Sequence, residues 1–110
     1  MRRDRDAVTA RDLQSWLERT LPDLRAAGVH GDFARGPRLA GRDGASWVSL
    51  GSPWASGRLV RADDGSSSWS AHRHADGASL LDGHSDTTSL LQLDVLAAVV
   101  QRDVRAPAPW

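Results

Sequence analysis

The dipeptide Asp64-Gly65 constrains this chain more than any other two residues. It separates residues 54–63 from residues 66–75, two segments with the composition of strands. Asp-Gly is favoured in the two-residue type I′ turn, which needs positive φ at both central positions. Read that way, the turn pairs Asp63 with Ser66, and the later pairs follow: Ala62 with Ser67, Val60 with Trp69, Arg58 with Ala71. Val60 and Trp69 then form an apolar cross-strand pair, of a kind worth about 0.2–1 kcal/mol. The other face collects Leu59, Arg61, Ser68, Ser70, His72 and His74. Side chains alternate with a period of two, so a slip of one residue exchanges the faces. The expected hairpin turns Trp69 inward and both histidines outward.

Helical signals flank this hairpin. Thr9 followed by Asp12 resembles a capping box, with Asp in place of Glu. Leu13, Trp16, Leu17, Leu21 and Leu24 recur at helical spacing, so a first helix is expected to start near Ala10 and to end before Gly28. Pro22 interrupts it, because proline lacks the N–H for the i−4 bond and its ring clashes there. The helix is therefore expected to stop near Thr20, or to kink and restart with Thr20 as a new cap. Residues 28–45 hold five Gly and one Pro, which reads as a long connection with one short strand over residues 32–35. Residues 46–50 form a second strand candidate, followed by a turn at Gly51-Ser52-Pro53. Residues 78–81 are a further short strand or a turn, and residues 82–86 a loop. Asp86 or Thr87 caps a final helix. Its apolar residues, Leu90, Leu91, Leu93, Val95, Leu96, Ala97, Val99 and Val100, make a stripe wide enough to suggest burial on more than one side.

The expected class is α+β: an N-terminal helix, a three- or four-stranded antiparallel meander, and a C-terminal helix packed on one sheet face. With 110 residues there is room for one domain. Residues 9–105 are assigned to it, residues 1–8 to a flexible arm and residues 106–110 to a Pro-rich tail. There is no cysteine, which excludes disulfides, thiolate metal sites and a cysteine nucleophile. All fourteen basic residues are Arg, and Lys, Asn, Ile and Tyr are missing. This matches a GC-rich bacterial genome, such as that of an actinobacterium, better than selection for arginine chemistry. The charged N-terminus has no apolar region after it, and no apolar run approaches a membrane span, so a cytoplasmic location is expected. Residues 25–61 carry six Arg and two Asp, and residues 62–110 three Arg and seven Asp. Such asymmetry can draw an acidic partner, or a second copy, to the middle of the chain.

Four constellations bear on function. His72 and His74 on one strand face can offer two imidazoles to one metal, with Asp76, His84 and Asp86 nearby to complete the set. His72-x-His74-x-Asp76 resembles part of the metallo-β-lactamase signature, although Gly77 stands where that signature has its last His and the chain is short for that fold. Serines are plentiful, but no Gly-x-Ser-x-Gly elbow is present. Arg35, Arg38 and Arg42 in the Gly-rich connection, with Arg58 and Arg61, could hold phosphates, yet no phosphate-loop or RNA-binding motif accompanies them. Among the tryptophans, Trp16 and Trp69 fit a core; Trp54 beside a turn and Trp110 in the tail fit an interface.

The layout is similar to that of toxin-neutralising immunity proteins and secretion chaperones, at the level of fold alone. The expected function is a small non-enzymatic protein-binding module without a cofactor, its partner another protein or a second copy. Nucleic acid and membrane are not expected partners. The expected partner-binding residues are Trp54, Arg58, Arg61 and Trp110. The alternative is a metal-dependent or ligand-binding enzyme using His72, His74, Asp76 and His84.

Overall fold

The computed structural model describes residues 8–37 and 44–102. Residues 1–7, the tail with Trp110, and Arg38 and Arg42 lie outside them. Helix α1 (Ala10–Ala26) leads into strands β1 (His30–Arg35), β2 (Ser46–Gly51), β3 (Ala55–Arg61), β4 (Ser67–Arg73) and β5 (Ser79–Ser85), and helix α2 (Leu90–Arg102) follows. The strands form one antiparallel sheet in the order β1-β2-β3-β4-β5. Both helices pack on the same face, α1 over β1 and β2, α2 mainly over β3 and β4. The α+β class holds, with five strands rather than three or four.

Helix α1 begins as its sequence demands. The Thr9 hydroxyl accepts from the Asp12 N–H at 3.2 Å, and the Asp12 carboxylate accepts from the Thr9 N–H at 2.8 Å. The helix ends on Gly28 at φ 84°, with Val29 N–H bonded to Leu24 C=O and Gly28 N–H to Arg25 C=O. These two bonds define a Schellman motif, and its hydrophobic pair Leu24 and Val29 is buried. Pro22 does not stop the helix. It lies exposed, while Leu17 and Leu24 on either side are held in the core. Packing of that apolar face outweighs the lost bond, since tertiary burial supplies most helical stability in proteins. Val8, assigned to the arm, instead packs against the core, and its carbonyl accepts from Arg61 Nε at 2.7 Å.

The hairpin register is one residue away from the expected one. Gly65 N–H bonds to Ala62 C=O, and Ala62 N–H to Ser66 C=O, so Asp63, Asp64 and Gly65 form a three-residue loop. Gly65 takes the left-handed conformation at φ 92°. A type I′ turn would also have demanded positive φ of Asp64, which its Cβ makes costly. Asp64 instead accepts from both the N–H and the hydroxyl of Ser66, at 2.9 and 2.7 Å. Trp69 consequently pairs with Leu59 and not Val60, Ser67 with Arg61 and not Ala62, Ala71 with Gly57 and not Arg58. Leu59 and Arg61 join Trp69 on the helix-covered face, and Val60 and Arg58 move to the other. Trp69 inward and His72 outward survive, because the correction moves β3 relative to an unchanged β4.

Strand β5 takes in Asp82-Gly83-His84, read above as loop. Gly83 is there for space: a Cβ on it would lie 2.6–2.8 Å from three atoms of the Trp69 indole. Gly57 serves α2 in the same way, since a Cβ there would lie 2.6 Å from Leu96 Cδ1 and 3.0 Å from Ser70 C=O. Leu13, Trp16, Leu17, Val48, Leu59, Leu93, Leu96 and Val100 fill the layer between helices and sheet. Each large apolar side chain buried in this way contributes about 1.5–3 kcal/mol before entropy is counted.

Helix α2 is fastened at both ends. It starts later than Asp86 or Thr87: the Ser89 N–H bonds to the Gln92 side chain at 3.1 Å, and the buried Thr88 hydroxyl bonds to Gly65 C=O at 2.9 Å. Near its other end, the buried Ser52 hydroxyl donates to Val100 C=O at 3.0 Å. Only one side of α2 is buried; Leu91 and Val95 on the opposite side are 67% and 42% exposed. We expect Gly57→Val to lower unfolding stability by about 1–3 kcal/mol through overpacking, despite the higher strand propensity of Val. Urea denaturation should show a lower midpoint with an unchanged slope; an unchanged or higher midpoint would contradict this packing.

Candidate functional site

With both helices on one face, no described helix covers the other face of the sheet. The strand pairings arrange it in rows. One row runs His30, Gly51, Ser56, His72, and the next runs Asp32, Ser49, Arg58, Ser70, Asp82. A third row places Ala34, Trp47, Val60, Ser68 and His84. The first two rows enclose a groove of about 540 Å³, with small residues in its floor and His30, Asp32, Arg58 and His72 around it. That size falls in the range of small-ligand sites. Gly51 shapes one end, since the His30 ring occupies the space where a Cβ would stand.

Arg58 is the central cation. Its Nε donates to Ser49 Oγ at 3.2 Å, and its guanidinium lies 5.9 Å from the centroid of the Trp47 ring. Among the described residues it has no carboxylate partner within ion-pair distance. With one hydrogen bond and a ring at the outer edge of cation–π distance, the exposed guanidinium keeps donors to spare for a carboxylate or phosphate. Of the other residues expected at an interface, Arg61 belongs to the opposite face and is tied to Val8. Trp54 is half-buried in the β2–β3 connection, and its carbonyl accepts from the His74 N–H at 2.8 Å. Trp110 lies outside the described residues. Among the described residues, Arg61 and Arg58 therefore lie on opposite faces and do not form one patch.

Nor does it gather the alternative metal ligands. His72 stands in the first row, and His84 in the third, on the far side of Ser70 and Asp82. His74 lies beyond the end of β4, with Nε2 2.6 Å from Ser56 Oγ and Nδ1 3.1 Å from Pro53 C=O. Asp76 receives two bonds from Arg73, at 3.1 and 3.0 Å, and one from the Ala78 N–H at 3.0 Å. Among the described residues no three His, Asp or Glu side chains lie together in a way that could hold a metal ion. No helix among them is long and apolar enough to cross a membrane.

Beside Arg58 and His72, this face carries residues that the sequence did not offer as site candidates, among them His30, Asp32, Ser49 and Ser56. The signal that could have found them is the period of two along β1 and β2, once Gly31 and Gly51 are read as strand residues. No family model, curated protein or solved structure matches the chain.

The Arg73–Asp76 pair carries a pH signature. The Arg73 hydrogen bonds, and then the Ala78 N–H, lower the Asp76 pKa from 3.8 to about 2. A depressed carboxylate favours the fold above its unfolded pKa, and this contribution fades as pH falls toward the folded value. We expect the Asp76 carboxyl resonance to titrate near pH 2, and Arg73→Gln to move that midpoint up toward the ordinary Asp value. An ordinary midpoint in the unsubstituted protein would refute the pairing.

Proposed function

We propose that the chain is a small protein-binding module of a GC-rich bacterium, comparable in role to an immunity protein or a secretion chaperone, and that it binds its partner through the uncovered sheet face. One observation carries this reading. The sheet face that no described helix covers centres on an arginine that bonds Ser49, lies at cation–π distance from Trp47 and lacks a carboxylate partner among the described residues. A charge-assisted bond from a partner carboxylate to this guanidinium adds affinity and specificity. The serines and glycine in the groove floor let a partner side chain approach the sheet closely.

The charge row narrows the partner. Asp32, Arg58 and Asp82 alternate in sign, each two strands from the next, or about 10 Å. The matching surface presents a carboxylate to Arg58 between two basic groups. Such a pattern selects by both attraction and repulsion. Neither a plain acidic patch nor nucleic acid would meet Asp32 and Asp82 favourably.

The test uses the full chain as bait in extract of its native host. We expect a stoichiometric protein partner to be retained by the unsubstituted chain and by Arg25→Glu, a charge reversal on the exposed side of α1. Arg58→Glu should reduce retention roughly 10-fold or more, the scale of a charge reversal within an interface. Equal retention by both variants would contradict the reading. So would a strictly monomeric protein with no stoichiometric partner.

A further inference from the structure

At the rim of the groove, Ser56, His74 and Pro53 form a connected set that goes beyond protein binding and does not rest on it. Ser56 Oγ lies 2.6 Å from His74 Nε2, and His74 Nδ1 lies 3.1 Å from the Pro53 carbonyl oxygen. A carbonyl can only accept, so Nδ1 carries the ring proton in that bond. In the neutral imidazole Nε2 is then unprotonated and accepts the Ser56 hydroxyl proton. This is the arrangement that activates a serine: nucleophile bonded to base, base fixed in tautomer and orientation by a third group. Here a backbone carbonyl fills the place that a carboxylate fills in the familiar triad.

The backbone holds the set together over a long stretch of sequence. The His74 N–H donates to Trp54 C=O at 2.8 Å, which anchors the histidine beside the β2–β3 connection that supplies Pro53. Ser52 Oγ accepts from the Trp54 and Ala55 N–H groups at 3.2 Å each, so that connection is itself braced. Ser56 and His74 are both exposed, and Ser56 lines the groove. His72 faces Ser56 directly across the β3–β4 pair, with Cβ atoms about 4.5–5.5 Å apart.

We propose that Ser56 is a nucleophile activated by His74 and that the groove beside it takes small carboxylic esters. Ser56 Oγ bonds to the ester carbonyl carbon while its proton passes to His74 Nε2. The bond to the leaving alcohol breaks, and the alkoxide takes that proton. Water then attacks the acyl-serine by the same route, releasing the carboxylic acid and restoring the hydroxyl and the neutral imidazole. General-base assistance of this kind is worth about 10²–10⁴-fold.

The test is covalent labelling of the full chain with diisopropyl fluorophosphate, read by intact mass and peptide mapping, with p-nitrophenyl acetate as the acyl probe. The expected result is one adduct, on Ser56, forming roughly 100-fold faster than on Ser49 or Ser70. It should disappear in Ser56→Ala and slow by a similar factor in His74→Gln. Thermal melts of both variants should match the unsubstituted protein, because both side chains are exposed. No adduct above that of the denatured chain would overturn the proposal, as would adducts spread over several serines or undiminished labelling in a folded His74→Gln protein.

Discussion

Between β3 and β4 the chain reverses through Asp63, Asp64 and Gly65, and Gly65 alone supplies the left-handed backbone that brings the strands back together. Because strand side chains alternate, the length of this loop decides which half of β3 meets the helices. A three-residue loop puts Leu59 beside Trp69 and Ala71, under α2. It also puts Arg58 beside Ser70 and Ser49, on the uncovered side. A two-residue loop would have buried a guanidinium without a partner and exposed Leu59. The desolvation cost of such a charge, several kcal/mol, exceeds what any turn preference contributes.

The remaining structure keeps that choice in place. Thr88 ties the start of α2 to the carbonyl of Gly65, so the turn and the helix over its strands are coupled. Ser52 ties the other end of α2 to the β2–β3 connection. Trp16 Nε1 donates to Asp94 across the two helices at 3.0 Å and aligns them over one sheet face. The groove, Arg58 and the Ser56–His74 pair are thus carried on strands whose far side is fixed by packing. A platform fixed in this way lowers the entropic cost of recognition.

Much of the fold was legible because its local signals have one physical meaning. Thr9 and Asp12 marked the start of α1, and Gly28 its end. Trp69 was recognisable as inward-facing and His72 as outward-facing. Glycine in strands was harder to read. Gly31 and Gly83 look like loop residues in a single sequence, yet each leaves room for a neighbouring side chain: Leu17 of α1 over Gly31, and Trp69 of the adjacent strand over Gly83. Sequence alone cannot tell a glycine chosen for its backbone from one chosen for the absence of a Cβ. Two strands were therefore shortened or missed. The same ambiguity governed the register, since Asp-Gly suits both a type I′ turn and a three-residue loop with Gly65 left-handed. The candidate site was less legible than the fold. Its groove combines residues from four strands, β1 to β4, and only Arg58 and His72 had been marked among its lining residues. Pro53 meets His74 only through the pairing of β3 with β4.

The account as a whole stands on that pairing. Cross-strand backbone NOEs in the unsubstituted protein measure it directly. Contacts linking Leu59 with Trp69 and Arg58 with Ser70 are the predicted result, with Ala62 meeting Ser66 at the turn. Contacts linking Val60 with Trp69 and Asp63 with Ser66 would contradict it, and would return Arg58 to the face beneath the helices.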